Sequence, residues 1–264
     1  MHSLTRTLLA CGLALAATFA ARAQERYFAI ADYMHIPDSS SEADYLALER
    51  LWQRIHQKAV DSGASLGWTV YRVENGGRNQ FVTLQVYDSP ARVLDPWSGD
   101  LSALIKQLYN ADEAAKMNKT DEVRVLTRSE LWRLESAAMG PQAGEPAGHN
   151  IMNFMKVVPG KLEAYIQLEG SVFRKGHQAR VDGGEMKGWY FLSRWFPAGA
   201  DGEYDYVTVD AYADKAASEK APDMKRIETV LSKEEMAAAE KVEALRKVVR
   251  REVWTPVLRT TPRR

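Results

Sequence analysis

The stretch His56–Trp68, HQKAVDSGASLGW, returns as His177–Trp189, HQARVDGGEMKGW, with seven of thirteen positions identical and no gap, 121 residues further on. Other segments recur in the same order. Asp32–His35 matches Asn153–Lys156, Tyr45–Glu49 matches Tyr165–Glu169, Phe81–Leu84 matches Tyr206–Val209, and Arg128–Trp132 matches Arg250–Trp254. Such an ordered set marks a tandem duplication, and it demands a fold in which one module can pack against a copy of itself.

The run Gly140–Gly148, with three glycines and two prolines in nine residues, cannot hold a helix or a central strand. It places a linker at 138–149 between repeats at 24–137 and 150–264. Residues 1–23 stand apart. Arg6, the apolar Leu8–Ala20 and the A-x-A site Ala21–Ala23 read as a signal peptide, so the chain is expected to be exported, periplasmic or secreted, after cleavage near Ala23. A competing reading takes Leu8–Cys11 as a lipoprotein box that would acylate Cys11. Cleavage leaves 241 residues, no cysteine, and 33 basic against 35 acidic groups. A net charge of −2 offers no basic surface for nucleic acid, and no later apolar run reaches membrane length.

Each repeat reads as strand, helix, two strands, helix, strand. Tyr27–Ile36 alternates and stops at Pro37, and Ser39 with Glu42 forms a capping-box pattern. Tyr45, Leu48, Trp52, Ile55 and Ala59 give the following helix one apolar face, which Gly63 ends. Strands are expected at Trp68–Val73 and Phe81–Tyr87 across Asn75–Gly77, then a helix through Leu101–Leu108 and a strand at Val123–Leu134. In the second repeat, Ser232 and Glu235 cap a helix over Met236–Val248, and Val249–Val257 closes the sheet. The fold class is therefore α+β: two tandem ferredoxin-like (βαββαβ) repeats, packed sheet to sheet as an intramolecular α+β barrel, because each sheet has a bare apolar face that only its twin can cover.

Two recurrent pairs are candidate catalytic residues. His56 and His177 lie late in the first helix of each repeat, on the edge of the apolar stripe; they suit a general base or ligand role, or a purely local one at a helix end. Asp32 and Asn153 put a polar group into an otherwise apolar strand, which calls for a partner, a ligand or a solvent-facing position. Trp68, Trp132, Trp189 and Trp254 also recur and suit either an aromatic ligand or core packing. There is no Gly-rich phosphate loop, no G-x-S-x-G elbow, no H-E-x-x-H, and no metal-ligand spacing among the histidines, so no metal is expected.

The tandem ferredoxin-like halves with their terminal aromatic strand resemble the dimeric α+β barrel superfamily, which includes antibiotic-biosynthesis monooxygenases, heme-degrading monooxygenases, muconolactone isomerases, stress-responsive barrels and chlorite dismutases. The resemblance implies a pocket between helix and sheet for a small apolar or aromatic ligand, lined by aromatic and Met side chains. It also implies a cofactor-independent monooxygenase or isomerase if the chain is an enzyme, with a His or Asp as base. No cofactor is required on that reading. Likeness to chlorite dismutases implies instead a heme with His177 as axial ligand and Tyr190 and Arg194 over it, where those proteins carry an arginine or glutamine. Asn153 and Trp189 would match two residues of the heme-degrading set, but 89–122 and 214–247 contain no histidine for the third. A non-catalytic structural or interaction role, and assembly into an oligomer, stay open.

Overall fold

The chain is described here by a computed structural model covering residues 27–74, 77, 80–94, 100–140, 147–199 and 202–261. The leader, its cleavage site and residues 141–146 of the Gly/Pro linker lie outside the described residues. Strand β1 is Phe28–His35, and helix α1 is Glu42–Ser62. The helix starts at Ser41 rather than Ser39, because Ser40 is held in a turn by its N–H donating to the Pro37 carbonyl at 2.9 Å. The Ser41 hydroxyl accepts from the Asp44 N–H at 3.1 Å and the Asp44 carboxylate accepts from the Ser41 N–H at 3.1 Å, a cap worth about 1 kcal/mol. Gly63 ends the helix at φ +79°, a conformation that favours a residue without a Cβ.

Strands β2 (Gly67–Glu74) and β3 (Phe81–Tyr87) follow as expected. The single second helix expected next is instead, among the described residues, four short ones: α2 (Pro90–Leu94), α3 (Leu101–Leu108), α4 (Ala111–Met117) and α5 (Thr120–Val123). Asp100 and Asn110 each cap a fresh start, so this stretch is broken by its own capping residues. Strand β4 runs Val125–Met139, two residues past 137.

The second half repeats the plan. It comprises β5 (His149–Val157), a helix in three parts, β6 (Gly188–Phe196), β7 (Tyr206–Tyr212), short helices α8 (Lys215–Ser218), α9 (Met224–Val230) and α10 (Lys233–Glu240), and β8 (Arg246–Arg259). The expected Ser232–Glu235 capping box is present, but the helix stops at Glu240, and 246–248 are already strand, paired with β5. The long helix is α6 (Leu162–Gln167), a π turn (Leu168–Phe173) and α7 (Arg174–Asp182). That π turn has a cause in the sequence. Tyr45/Tyr165 and Glu49/Glu169 are 120 apart whereas His56/His177 are 121 apart, so the second copy carries one extra residue within this stretch. A wider turn absorbs it and keeps Glu169 and His177 on one face.

All eight strands close into one antiparallel barrel in the order β1-β3-β2-β8-β5-β7-β6-β4. Each half contributes a four-stranded ferredoxin-like sheet, and the halves join edge to edge through β2–β8 and β4–β6. Because neighbours are antiparallel all round, β1 and β5 run the same way, and the two-fold relation between halves coincides with the barrel axis. On that axis Trp132 stacks on its own counterpart Trp254, with ring centroids 6.0 Å apart and planes at 23°. Both are about 1% exposed, so the strongest pair of recurrent aromatics is core packing inside the barrel. The helices lie outside, each half burying a second layer between helix and sheet.

Candidate functional site

Helix α1 turns Tyr45, Glu49 and His56 toward the sheet, since four and seven residues return a helix nearly to the same face. Beneath it, the outward face of the first sheet supplies Asp32 and Trp68. His56 lies flat on Trp68, centroids 4.6 Å apart at 10°. Glu49 is fully buried, and Arg124 binds its Oε1 through Nη1 at 2.6 Å. Trp52 roofs the group from α1 and donates its indole N–H to Thr120 Oγ1 at 3.2 Å, with Met117 of α4 buried beside it.

The second half rebuilds this constellation with changes. His177 lies flat on Trp189 at 4.9 Å and 9°, and Tyr165, Glu169 and Arg246 hold the places of Tyr45, Glu49 and Arg124. Asn153 stands where the first half has Asp32, and Asp210 where it has Gln85, so amide and carboxylate have exchanged strands. Arg251 replaces Ser129. Its Nε donates to Asn153 Oδ1 at 2.7 Å, and Asn153 Nδ2 donates to Asp210 Oδ2 at 3.1 Å. A cavity of about 340 Å³ opens here between helix and sheet, bordered by Glu169, His177, Asn153, Asp210, Arg246 and Arg251 among others. Among the described residues, His177 Nδ1 and Arg246 Nε are buried with no hydrogen-bond partner. The expected aromatic and Met lining is present in Phe173, Trp189 and Met155, but it shares the walls with Glu169, Asp210, Arg246 and Arg251 rather than making a purely apolar pocket. The apolar cavity lies elsewhere, inside the barrel.

Burial sets the electrostatics. It pushes Glu169 up to about 7, with Tyr165 and Arg246 opposing the rise, and pushes Glu49 likewise to about 7 against the pull of Arg124. Burial and a nearby arginine drive His56 and His177 down to about 3, so both imidazoles are neutral and very weak bases. Asp32 and Asp210 are raised by burial. The sequence therefore placed the right helix face, and beside the two histidines the structure adds two carboxyls raised toward neutrality, Glu49 and Glu169. Both are recognisable in the sequence only as the recurrent Glu of YLALE and YIQLE on an apolar stripe.

The structure brings His177 and Asn153 to one cavity, and it sets His56 and Asp32 each within reach of the Arg124 charge. It does not bring Tyr190 or Arg194 to them. These two point from β6 to its other face: Tyr190 borders the cavity inside the barrel, and Arg194 sits over Tyr204, its Cζ 4.8 Å from the ring centroid, with Nη1 3.9 Å from Glu130. That separation removes the proposed heme lining. The cavity beside His177 does not fit a heme either. It is at the small end for organic ligands, and its walls carry two carboxyls where a macrocycle needs flat apolar surface. Among the described residues no group of three or more His, Cys, Asp or Glu could hold a metal, and no helix is long and apolar enough to cross a membrane.

A closed antiparallel barrel made of two ferredoxin-like sheets, with a helix-covered site on each, is the dimeric α+β barrel fold, here contained in one chain. Solved structures share it: a candidate monooxygenase from Lactobacillus acidophilus (TM-score 0.52, 12% identity, covering 90% of this chain and 97% of that one), an anthrone oxidase-like protein (0.52, 12%, 90% and 94%), and a candidate chlorite dismutase (0.50, 11%, 88% and 95%). At such identities the likeness is one of fold. No protein-family model matches the chain, and no curated protein matches it by sequence.

Proposed function

We propose that the cavity of the second half binds a small enolisable or phenolic aromatic compound and moves a proton from it without a cofactor. The observation that carries this reading is Glu169, a buried carboxyl raised to about 7 at the edge of a cavity that also holds arginines. A base titrating near the working pH combines a usable ionised fraction with useful basicity. Glu169 takes the proton; Arg251, anchored by Asn153, and Arg246 face the anion left behind. An isomerase completes such a step by returning the proton to another carbon, and an oxygenase by handing the anion to dioxygen. One fold neighbour is named as anthrone oxidase-like, and an anthrone is an enolisable aromatic ketone. The first half lacks the arrangement: Glu49 is tied to Arg124 under the Trp52 roof and serves packing.

4-Nitrophenol tests the reading, because phenol and phenolate differ in visible absorbance. Saturable binding at pH 7 should favour the phenolate. Phenolate binding should weaken as pH rises through 7 and Glu169 ionises, Glu169→Gln should remove that pH dependence, and Arg251→Met should weaken binding at least tenfold. Binding indifferent to both substitutions would refute the proposal. Export belongs to the same proposal and rests on the pattern of residues 1–23; the intact mass of the secreted or periplasmic chain should correspond to a start at Gln24.

A further inference from the structure

The barrel is filled unevenly along its axis. At one end, Arg128 and Arg250 lie over the rings of Tyr33 and Phe154, 3.9 and 4.1 Å from Cζ to centroid, and pair with Glu130, Glu203 and Glu252. The middle is the Trp132–Trp254 stack. At the far end a cavity of about 330 Å³ opens inside the barrel, with mostly apolar walls interrupted by Thr69, Asn150 and the tyrosines Tyr71 and Tyr190. Eight strands enclose a lumen that side chains just fill or that holds one small ligand.

The space here comes from broken symmetry. Axis-related positions pair Ala29 with Asn150, Ala211 with Val86, and Thr69 with Tyr190, so in each pair one small side chain leaves room opposite a larger one. The walls remain uncharged, as burial raises Tyr190 and holds Tyr71 up at about 12. A donor is left over as well. The Trp254 indole N–H donates to Glu252 Oε2 at 2.7 Å, whereas that of Trp132, on the cavity wall, is buried with no acceptor among the described residues.

We propose that this end of the barrel is a second ligand site, which takes one neutral, flat, mono- or bicyclic molecule carrying a single hydrogen-bond acceptor. It is separate from the Glu169 cavity, because alternate residues of β6 face the two: Tyr190 and Leu192 line the lumen, Trp189 the other. A titratable ligand is disfavoured, since no charge on these walls would compensate its desolvation.

1-Naphthonitrile is a suitable probe, being neutral, bicyclic and equipped with one acceptor. Titrated into the full chain, it should quench tryptophan fluorescence saturably. The affinity should persist in Glu169→Gln, fall tenfold or more in Ala211→Leu or Ala29→Leu, and fall severalfold in Trp132→Phe. In the unsubstituted chain, nuclear Overhauser contacts should link the probe to the Ala29 and Ala211 methyl groups, a readout that survives if a filling variant fails to fold. Non-saturable quenching would overturn the proposal. So would loss of binding in Glu169→Gln with no effect of the alanine substitutions, or contacts from residues before 27 or within 141–146 to those methyls in place of the probe. Failure here leaves the 4-nitrophenol result untouched, so the two sites are tested apart.

Discussion

At the scale of residues, the two buried glutamates and two buried histidines oppose one another in pH. A carboxyl raised from 4.5 to about 7 keeps its proton in the folded chain when the unfolded chain has released it, so its contribution falls as pH rises from 4.5 to 7. A histidine lowered from 6.5 to about 3 does the reverse: the unfolded chain takes the proton first, and stability falls as pH drops from 6.5 toward 3. Between about 4.5 and 6.5 the slopes cancel, so these four groups predict a plateau of unfolding free energy there. Stability then declines toward pH 3 through the histidines and toward pH 7 through the glutamates. Replacing both Glu49 and Glu169 with Gln should abolish the plateau and leave stability rising with pH from 3 to 6.5 through the histidines alone, because the opposing slope of the glutamates is gone. Urea unfolding across that range checks it, and a plateau surviving the double substitution would refute the assignment. The histidines were visible in the sequence because they repeat. The glutamates were equally repeated but hidden, since a carboxylate beside an apolar stripe reads as a solvated flank until burial is known.

Among the elements, local periodicity made β1, α1, β2 and β3 readable, because each has an unbroken pattern and clear stops at Pro37 and Gly63. The second helical stretch of each half was not readable as four or three pieces. Its caps at Asn110 and Ser232 compete with helix continuation, and only packing decides where each segment stops. The π turn was foreshadowed by the change from 120 to 121 in the spacing of equivalent residues, a signal that gains meaning once both ends are seen on one face. Gly170 sits in that turn, and a Cβ added there would meet no atom within 4 Å. A helical glycine costs roughly 0.5–1 kcal/mol relative to alanine. Gly170→Ala should therefore stabilise the chain by about that amount in thermal unfolding without altering 4-nitrophenol binding; destabilisation would show that the wide turn needs glycine.

For the whole molecule, duplication and the union of two sheets in one barrel were legible from the repeat, whereas the seams β2–β8 and β4–β6 were not, because no local pattern encodes which edges meet. Those seams make each half dependent on the other. Alone, a half would expose two unpaired edges and an apolar sheet face carrying Trp132 or Trp254. A chain of residues 27–139 should therefore form a dimer, β2 pairing with the partner's β4, as read by light scattering; a stable folded monomer would contradict the dependence.

The stretch between Met139 and His149 ties together two bodies that share one axis. In an assembly of identical subunits every substitution strikes both copies, so a change that improves one chamber must be tolerated by its twin. Joining them in a single polypeptide lifts that obligation. One chamber carries a carboxylate at 210 and an arginine at 251 where the other has Gln85 and Ser129, and that other holds Glu49 against Arg124 under a tryptophan roof. The tether thus let one inheritance specialise in two directions.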